Sequence, residues 1–454
     1  TEFNIGYNGS ENFAPGNRYG VFPAGSIGWV ISREAFMKGT EKWLDNLKLR
    51  ASFGLVGSDK ISDNNDDRFA YLQFFQGGNG YSFGFNEFGS GYDGLKEGNF
   101  ANPNLTWEKA RKTNIGFDAT LFNGKLTIAA DYFREHRYDI ITTLSDGDKM
   151  GYPDIVGKDA PFVNSGIVDN QGIDFELGWN STIGKDFRYY IKPNFTFARN
   201  KIKFMNEVDY GNEYRQKTGR RLGEHFVYVV DHFVYDQAEA DKLNAMNDGR
   251  GFQPWGELHP GDVVYKDLNQ DGKIDDYGDR THMGFPRTPE IQFGIPFGIQ
   301  YKGFDISVMF QGSLNSSILL SGAAVWDFPS YEQDQYGKVK HMHLNRWTEA
   351  TKDVATYPRL TYGAYENNKN GNSSLFLYDA SYLRLKNVEI GYNVSPNWLR
   401  KFHVQQARIY VQGLNLLTFD KLGDVDIDPE TKSGDGASWY PIQKVFNFGI
   451  DITF

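Results

Sequence analysis

The chain has 454 residues, a net charge of −10, no cysteine, 16% aromatic residues and 50 glycines, with a mean hydropathy of −0.55. The absence of cysteine excludes disulfides, thiolate catalysis and thiolate metal sites, and the acidic balance argues against a nucleic-acid partner, whose phosphates need a basic surface. No apolar run approaches the ~18 residues that a membrane helix needs, so a helical membrane protein is excluded too.

What remains is a strong alternation of period two, the pattern of strands with one apolar and one polar face. It begins at once: Thr1, Glu2, Phe3, Asn4 and Ile5 already alternate, with no leader-like charged or apolar region before them, so more chain is expected upstream. Strands are predicted at 2–9, 20–32 and 47–57, then at 109–122, where Ile115, Phe117, Ala119 and Leu121 oppose Gly116, Asp118 and Thr120. The segment 125–142 sets Leu126, Ile128, Ala130 and Tyr132 against Thr127 and Asp131, and 164–181 sets Ile173, Phe175, Leu177 and Trp179 against Asp174 and Glu176. Further strands are predicted at 187–204, 288–301, 304–316 and 378–394. In 378–394 the apolar parity shifts between Leu385 and Val388, which predicts a bulge near Asn387. Strands at 405–417 and 443–454 bring the set to about twelve, and in the last one Phe446, Phe448, Ile450, Ile452 and Phe454 share a face.

The connections alternate in length. Short turns at Asn123-Gly124, near Ile183-Gly184-Lys185, at Lys302-Gly303 and around 395–404 interleave with long polar segments at 58–108, 143–163, 205–287, 317–377 and 418–442. Short periplasmic turns and long external loops are the asymmetry of outer-membrane barrels. The fold class read here is therefore all-β, a transmembrane antiparallel β-barrel crossing the membrane many times, whose last strand ends with a periplasmic C-terminus. A soluble β-sandwich also alternates, but it would bury Asp118, Asp131, Asp174 and Glu176 at several kcal/mol each if unpaired. These four are read as lumen-facing, either lining a permeation path or pairing with a plug.

The long segments hold the candidate sites. Asp267, Asn269, Asp271, the Lys273 carbonyl and Asp275, with Gly272 at the sharp turn, follow the oxygen spacing of a calcium loop. Position 12 is Gly278 rather than Glu, and Asp279 sits one residue late; the same residues also make an Asx-rich turn held by its own backbone. Trp255, Trp326, Phe328, Tyr331 and Trp347 are candidates to stack on a substrate, or to pack a loop against itself. His341 and His343 would share a face if on a strand, with Glu349 near, a weak metal signal. No nucleophile elbow, phosphate loop or zinc-protease motif occurs, so the chain reads as not an enzyme.

Three groups of segments spread over the chain carry a family resemblance. They are FAPGNRYGVFP at 13–23 with SIGW at 26–29; YKDLNQDGKIDD at 265–276 leading through Arg280 and GFP at 284–286 to YKGFD at 301–305; and YLRLKNVEIGY at 382–392 with RIYVQGLNLLTF at 408–419. Together they resemble the SusC/RagA family of TonB-dependent outer-membrane transporters, and Phe454 resembles the terminal aromatic read as an assembly signal. The resemblance implies a 22-stranded plugged barrel, of which 1–454 would be the C-terminal portion, with the plug and the TonB-contacting segment upstream. It implies active import of oligosaccharides, or alternatively of oligopeptides, in the outer membrane of a Gram-negative, Bacteroidetes-like bacterium. TonB and a SusD-like lipoprotein would be partners. A surface adhesin or passive porin on the same barrel is the reading from another class.

Overall fold

A computed structural model describes all residues except 63–67, 83–90, 144–157, 159, 208, 329–338, 364, 400–402 and 435–439. Its main feature is a 13-stranded antiparallel sheet. The strands are β1 (Glu2–Gly9), β2 (Tyr19–Val30), β3 (Leu44–Ser58), β4 (Glu108–Leu121), β5 (Leu126–Thr143), β6 (Phe162–Ile183) and β7 (Phe187–Ile191). They continue as β8 (Asn194–Phe204), β9 (Ile291–Tyr301), β10 (Phe304–Leu314), β11 (Tyr382–Asn393), β12 (Gln406–Asp420) and β13 (Val445–Thr453). Neighbours in sequence are neighbours in space: the order runs from β1 through β6 to β8 and on through β9 to β13, with β7 between β6 and β9.

Turn chemistry fixes the short ends. Tyr301 pairs with Phe304, so Lys302 (φ 46°) and Gly303 (φ 91°) form a two-residue turn with both central φ positive, the form that matches strand twist. The connections at this end of the sheet are short, are built of 3₁₀ turns at 31–40, or carry the one-turn α-helix Pro396–Leu399, and the long segments leave from the opposite end.

Two strands depart from the sequence expectation. The predicted strand 187–204 is interrupted at Lys192 and Pro193, because Pro193 has no N–H to give to the ladder. Its register is nevertheless unbroken: Trp179 faces Ile191 and Glu176 faces Asn194 at one constant offset, and the Pro193 carbonyl still accepts from Leu177 N (2.9 Å). The predicted strand 378–394 is two pieces. Leu377–Asp379 turns away to pair with Ser317–Leu319, and β11 begins only at Tyr382. The expected bulge is present: toward β10 the ladder slips between Leu385 and Asn387 and leaves Lys386 as the extra residue, and toward β12 it slips at the same place, with Asn415 and Leu416 opposite Lys386.

The long segments are not featureless coil. Phe75–Ser82 pairs with Gly91–Glu97, His225–Tyr228 with Arg280–Met283, and Val230–Phe233 with Val263–Tyr265. Helix α1 (Gln237–Asn244) starts on Asp236, whose side chain accepts from Glu239 N, while the Glu239 carboxylate accepts from Tyr235 N. Buried clusters sit at this end of the molecule. Phe13, Phe22, Leu105, Trp107 and Phe162 form one against the polar face of the sheet, and Ile318, Leu320, Val325, Tyr357, Phe376 and Leu422 form another within the loops.

Candidate functional site

The sheet has two chemically different faces, and the register makes each continuous. On one, Ile115, Tyr132, Ile173 and Phe197 lie abreast on four neighbouring strands. Ile299, Ile306, Ile390, Val411 and Phe448 extend the same band toward the last strand. Phe3, Ile5, Phe53, Ile115, Phe446 and Phe448 each keep more than half their surface exposed. Aromatic and branched side chains left uncovered across thirteen strands are a surface for lipid, not for water. Phe454 lies at the end of β13, 79% exposed.

The opposite face is polar and cross-linked. Arg50 on β3 donates to Asp118 on β4 (2.8 and 2.9 Å) and to Asp131 on β5 (2.9 Å), and Thr196 Oγ1 donates to Asp174 (2.8 Å). Arg408 on β12 donates to Asp305 and Glu389 (2.5 Å each). Asp118, Asp131, Asp174 and Glu176 thus share the face turned from the apolar band, with the first two paired to a strand arginine and Asp174 to a threonine.

Where this face meets the long loops it forms a recess of about 750 Å³. Its floor is Asn194 and Thr196 on β8, Gln292 on β9 and Gln311 and Ser313 on β10, and its rim includes Arg287 and Glu430. The rim is tied down. Arg384, fully buried on β11, donates to Asp428 and Glu430 (2.6 Å each), and Arg287 donates to the carbonyls of Pro429 and Thr431. Burial holds the Arg287 guanidinium below its ordinary pKa. Arg384 from the sheet and Arg287 from the segment just before β9 therefore fix the 428–431 strap over the recess. Neither was singled out from sequence; the available signal was Arg384 standing between Leu383 and Leu385.

The long loops are held by buried charge. Asp327 accepts from Tyr357 OH (3.0 Å) and Thr361 N (2.6 Å) beside Lys369 (3.7 Å), whose ammonium donates to the carbonyls of Thr361 and Gly363. Asp262 accepts from Arg359, Asn368 and Tyr365. Trp347 is 8% exposed and lies over Gly261; Trp255 packs edge-on to Tyr228 and Tyr265 (5.0 and 5.6 Å). Trp326 is half-buried against the loop core and Phe328 is 6.2 Å from Tyr362, while Tyr331 lies outside the described residues. His341 and His343 do not share a face. They are on a 3₁₀ turn, with His341 exposed and His343 buried, its Nδ1 accepting from Lys340 N and its Nε2 at 3.0 Å from the Val325 carbonyl. Glu349 pairs instead with Lys352.

In the 267–279 loop Asp267 accepts from Asp271 N and Gly272 N, the wrap expected of a calcium loop, with Gly272 at φ 85°. Asp279, fully buried, accepts from Leu268 N and Asp275 N. Burial, with the nearby Asp267 and Asp275 charges, pushes its carboxyl above the ordinary range. Among the described residues no three acidic or histidine side chains converge as metal ligands.

The neighbouring Arg280–Met283 segment is expected to respond to pH through His282. Burial, then Arg220, pushes His282 down to about 4, and its Nδ1 is buried with no hydrogen-bond partner among the described residues. The unfolded form of this site binds a proton below about pH 6.5 that the folded form refuses until about pH 4, so stability is complete above 6.5 and falls as pH drops toward 4. The protection of amides 225–228 and 280–283, taken as the exchange rate relative to the intrinsic rate at the same pH, is expected to fall between pH 7.5 and pH 5. His282→Phe should flatten that difference; protection insensitive to pH in the parent protein would refute the assignment.

Comparison with known proteins fits this geometry. The family described as "TonB dependent receptor-like, beta-barrel" matches residues 3–416. The chain is 27% identical to TonB-dependent receptor P3 of Formosa agariphila, covering 98% of this chain and 43% of that protein. It is also 27% identical to TonB-dependent receptor SusC of Bacteroides thetaiotaomicron, covering 100% and 42%. It thus spans less than half the length of these relatives. The structure of the RagAB peptide transporter superposes with a TM-score of 0.71 at 21% identity, over all of this chain and 45% of that one, which shows a shared fold. A continuous lipid-facing band, a salt-bridged polar face and a match over most of its length together establish that the chain belongs to the TonB-dependent receptor-like β-barrel family.

Proposed function

We propose that this chain supplies wall, polar inner face and external loops to an outer-membrane importer of oligosaccharides, energised through TonB and working with a SusD-like surface lipoprotein. It catalyses no reaction. The recess under the 428–431 strap carries the reading: its floor is amides and hydroxyls from Asn194, Thr196, Gln292, Gln311 and Ser313, donors and acceptors suited to a neutral polyol. Trp255, Trp326 and Phe328, on the long loops, are secondary candidates for substrate contact. β1 and β13 each have one neighbour in the sheet, and an unpaired edge in lipid costs several kcal/mol per open backbone group. Further strands therefore flank both edges in the working barrel, with a plug facing Asp118, Asp131, Asp174 and Glu176.

The test is a strain lacking the full-length protein, grown on oligosaccharides or on peptides as sole nutrient. Loss of growth on an oligosaccharide alone supports the reading. Loss on peptides alone moves the substrate to the class named for the RagAB transporter. Uptake that persists without TonB would favour a passive porin.

The loop 267–279 is proposed to take calcium on Asp267, Asn269, Asp271, the Lys273 carbonyl, Asp275 and Asp279, on the strength of their oxygen spacing; binding would draw together carboxylates that do not converge in this structure, and would favour the charged form of Asp279, which burial and then the Asp267 and Asp275 charges disfavour. Saturating calcium over chelator is expected to raise the unfolding temperature by a few degrees, about 2.7 kcal/mol at a hundredfold excess over Kd. Asp271→Asn should remove most of the rise. An unfolding curve indifferent to calcium would leave the loop as an Asx turn closed by its own backbone.

A further inference from the structure

The lipid-facing side of the sheet stops being apolar abruptly on four adjacent strands. Along β4, β5, β6 and β8 the last apolar row is Ile115, Tyr132, Ile173 and Phe197. The next row toward the long loops is Thr113, Arg134, Gln171 and Arg199, and the one after is Arg111, His136, Asp169 and Lys201. All share the outward parity, so these side chains stand directly above the band. Arg220 and Arg221, from the loop after β8, close a recess of about 460 Å³ against Arg199 and Lys201.

This basic patch lies on a chain whose net charge is −10. Its acids do not neutralise it. Asp169 is shared by Arg134 (3.2 Å) and His136 (2.6 Å), and Glu290 by Arg199 (2.7 Å) and Arg221 (3.1 Å), with Glu224 beside Arg221 (3.6 Å). Arg111, over the Tyr138 ring, and Lys201 have no carboxylate partner among the described residues, and both are exposed. A solvated surface would mix its charges. Here cations sit one residue pair above an acyl-facing band, the depth of a headgroup, on the side of the long loops.

We propose that this patch binds the phosphate-bearing headgroup of an anionic lipid in the outer leaflet, with the lipid's chains lying on Ile115, Tyr132, Ile173 and Phe197. The guanidinium groups of Arg111 and Arg134 and the Lys201 ammonium take the phosphate, while Arg199, Arg220 and Arg221 hold its field.

The experiment is a titration of the full-length protein, in phosphatidylcholine nanodiscs, with fluorescent bacterial lipid A. Arg111→Gln, Arg134→Gln and Lys201→Gln together are expected to weaken binding roughly a hundredfold, at about fivefold per cation near an anionic surface. Lys38→Gln, Lys125→Gln and Lys185→Gln, at the short-turn end, should leave it unchanged. Dephosphorylated lipid A, titrated against the unaltered protein, should bind as weakly as lipid A does to the triple variant, a comparison independent of any folding defect. Equal binding of the dephosphorylated lipid overturns the proposal, as does displacement by inorganic phosphate alone, which would mark a free-anion site.

Discussion

Val308→Arg is expected to destabilise the folded barrel by about 2–4 kcal/mol, the cost of a cation on the lipid face near mid-membrane. Val308 lies in the middle of β10, between Phe297 on β9 and Val388 on β11, inside the apolar band. One residue away, Ser307 points to the polar face and is paired in register with Glu389. Ser307→Lys should therefore cost no more than about 0.5 kcal/mol, as substitutions in polar surroundings do. The contrast is read from urea titration of the full-length protein folded into vesicles. Because alternation has a period of two, similar losses from both variants would mean that the band does not face lipid.

Asp327→Ala is expected to cost about 3–5 kcal/mol, since it strands a buried ammonium. Asp327 and Lys369 are both all but inaccessible, and Tyr357 OH and Thr361 N also depend on the Asp327 carboxylate. Burial already holds Lys369 below its ordinary pKa of 10.5. The unfolded chain then binds the proton more readily, so the variant should regain stability as pH rises toward 10.5. Lys369→Met added to Asp327→Ala should recover part of the loss by removing the stranded charge. Limited proteolysis across 317–377, with thermal unfolding of the full-length protein, provides the measurement. A double variant no more stable than the single one would show that Lys369 is not what the carboxylate compensates.

Much of the wall was legible in the residue order. Twelve predicted strands, their parity, the bulge beside Asn387 and the sorting of short from long connections all follow from rules that act within a few residues. Where a local rule competed with the pattern, the pattern was over-read: 187–204 alternates without a break, yet Pro193 has no N–H to pair. The loops were the opposite case. Their hairpins, helix α1 and buried clusters went unread, because strands such as Val230–Phe233 and Val263–Tyr265 are short and find each other across some thirty residues of other structure. The paired histidines show the same limit, since the spacing of His341 and His343 has meaning only on a strand and they lie on a 3₁₀ turn.

The sequence by itself determined a membrane-facing β-sheet, its two faces and its family, because side-chain alternation is a period-two property that needs no partner to be seen. Only the tertiary structure decided what sits together. It brought Arg50 between Asp118 and Asp131, folded the 428–431 strap onto Arg384 and Arg287, and ranked Arg111, Arg134, Arg199 and Lys201 above the apolar band. Those arrangements depend on strand register and on contacts between residues far apart in the chain. Loop closure and ladder alignment set both, and neither leaves a local mark in the order of residues.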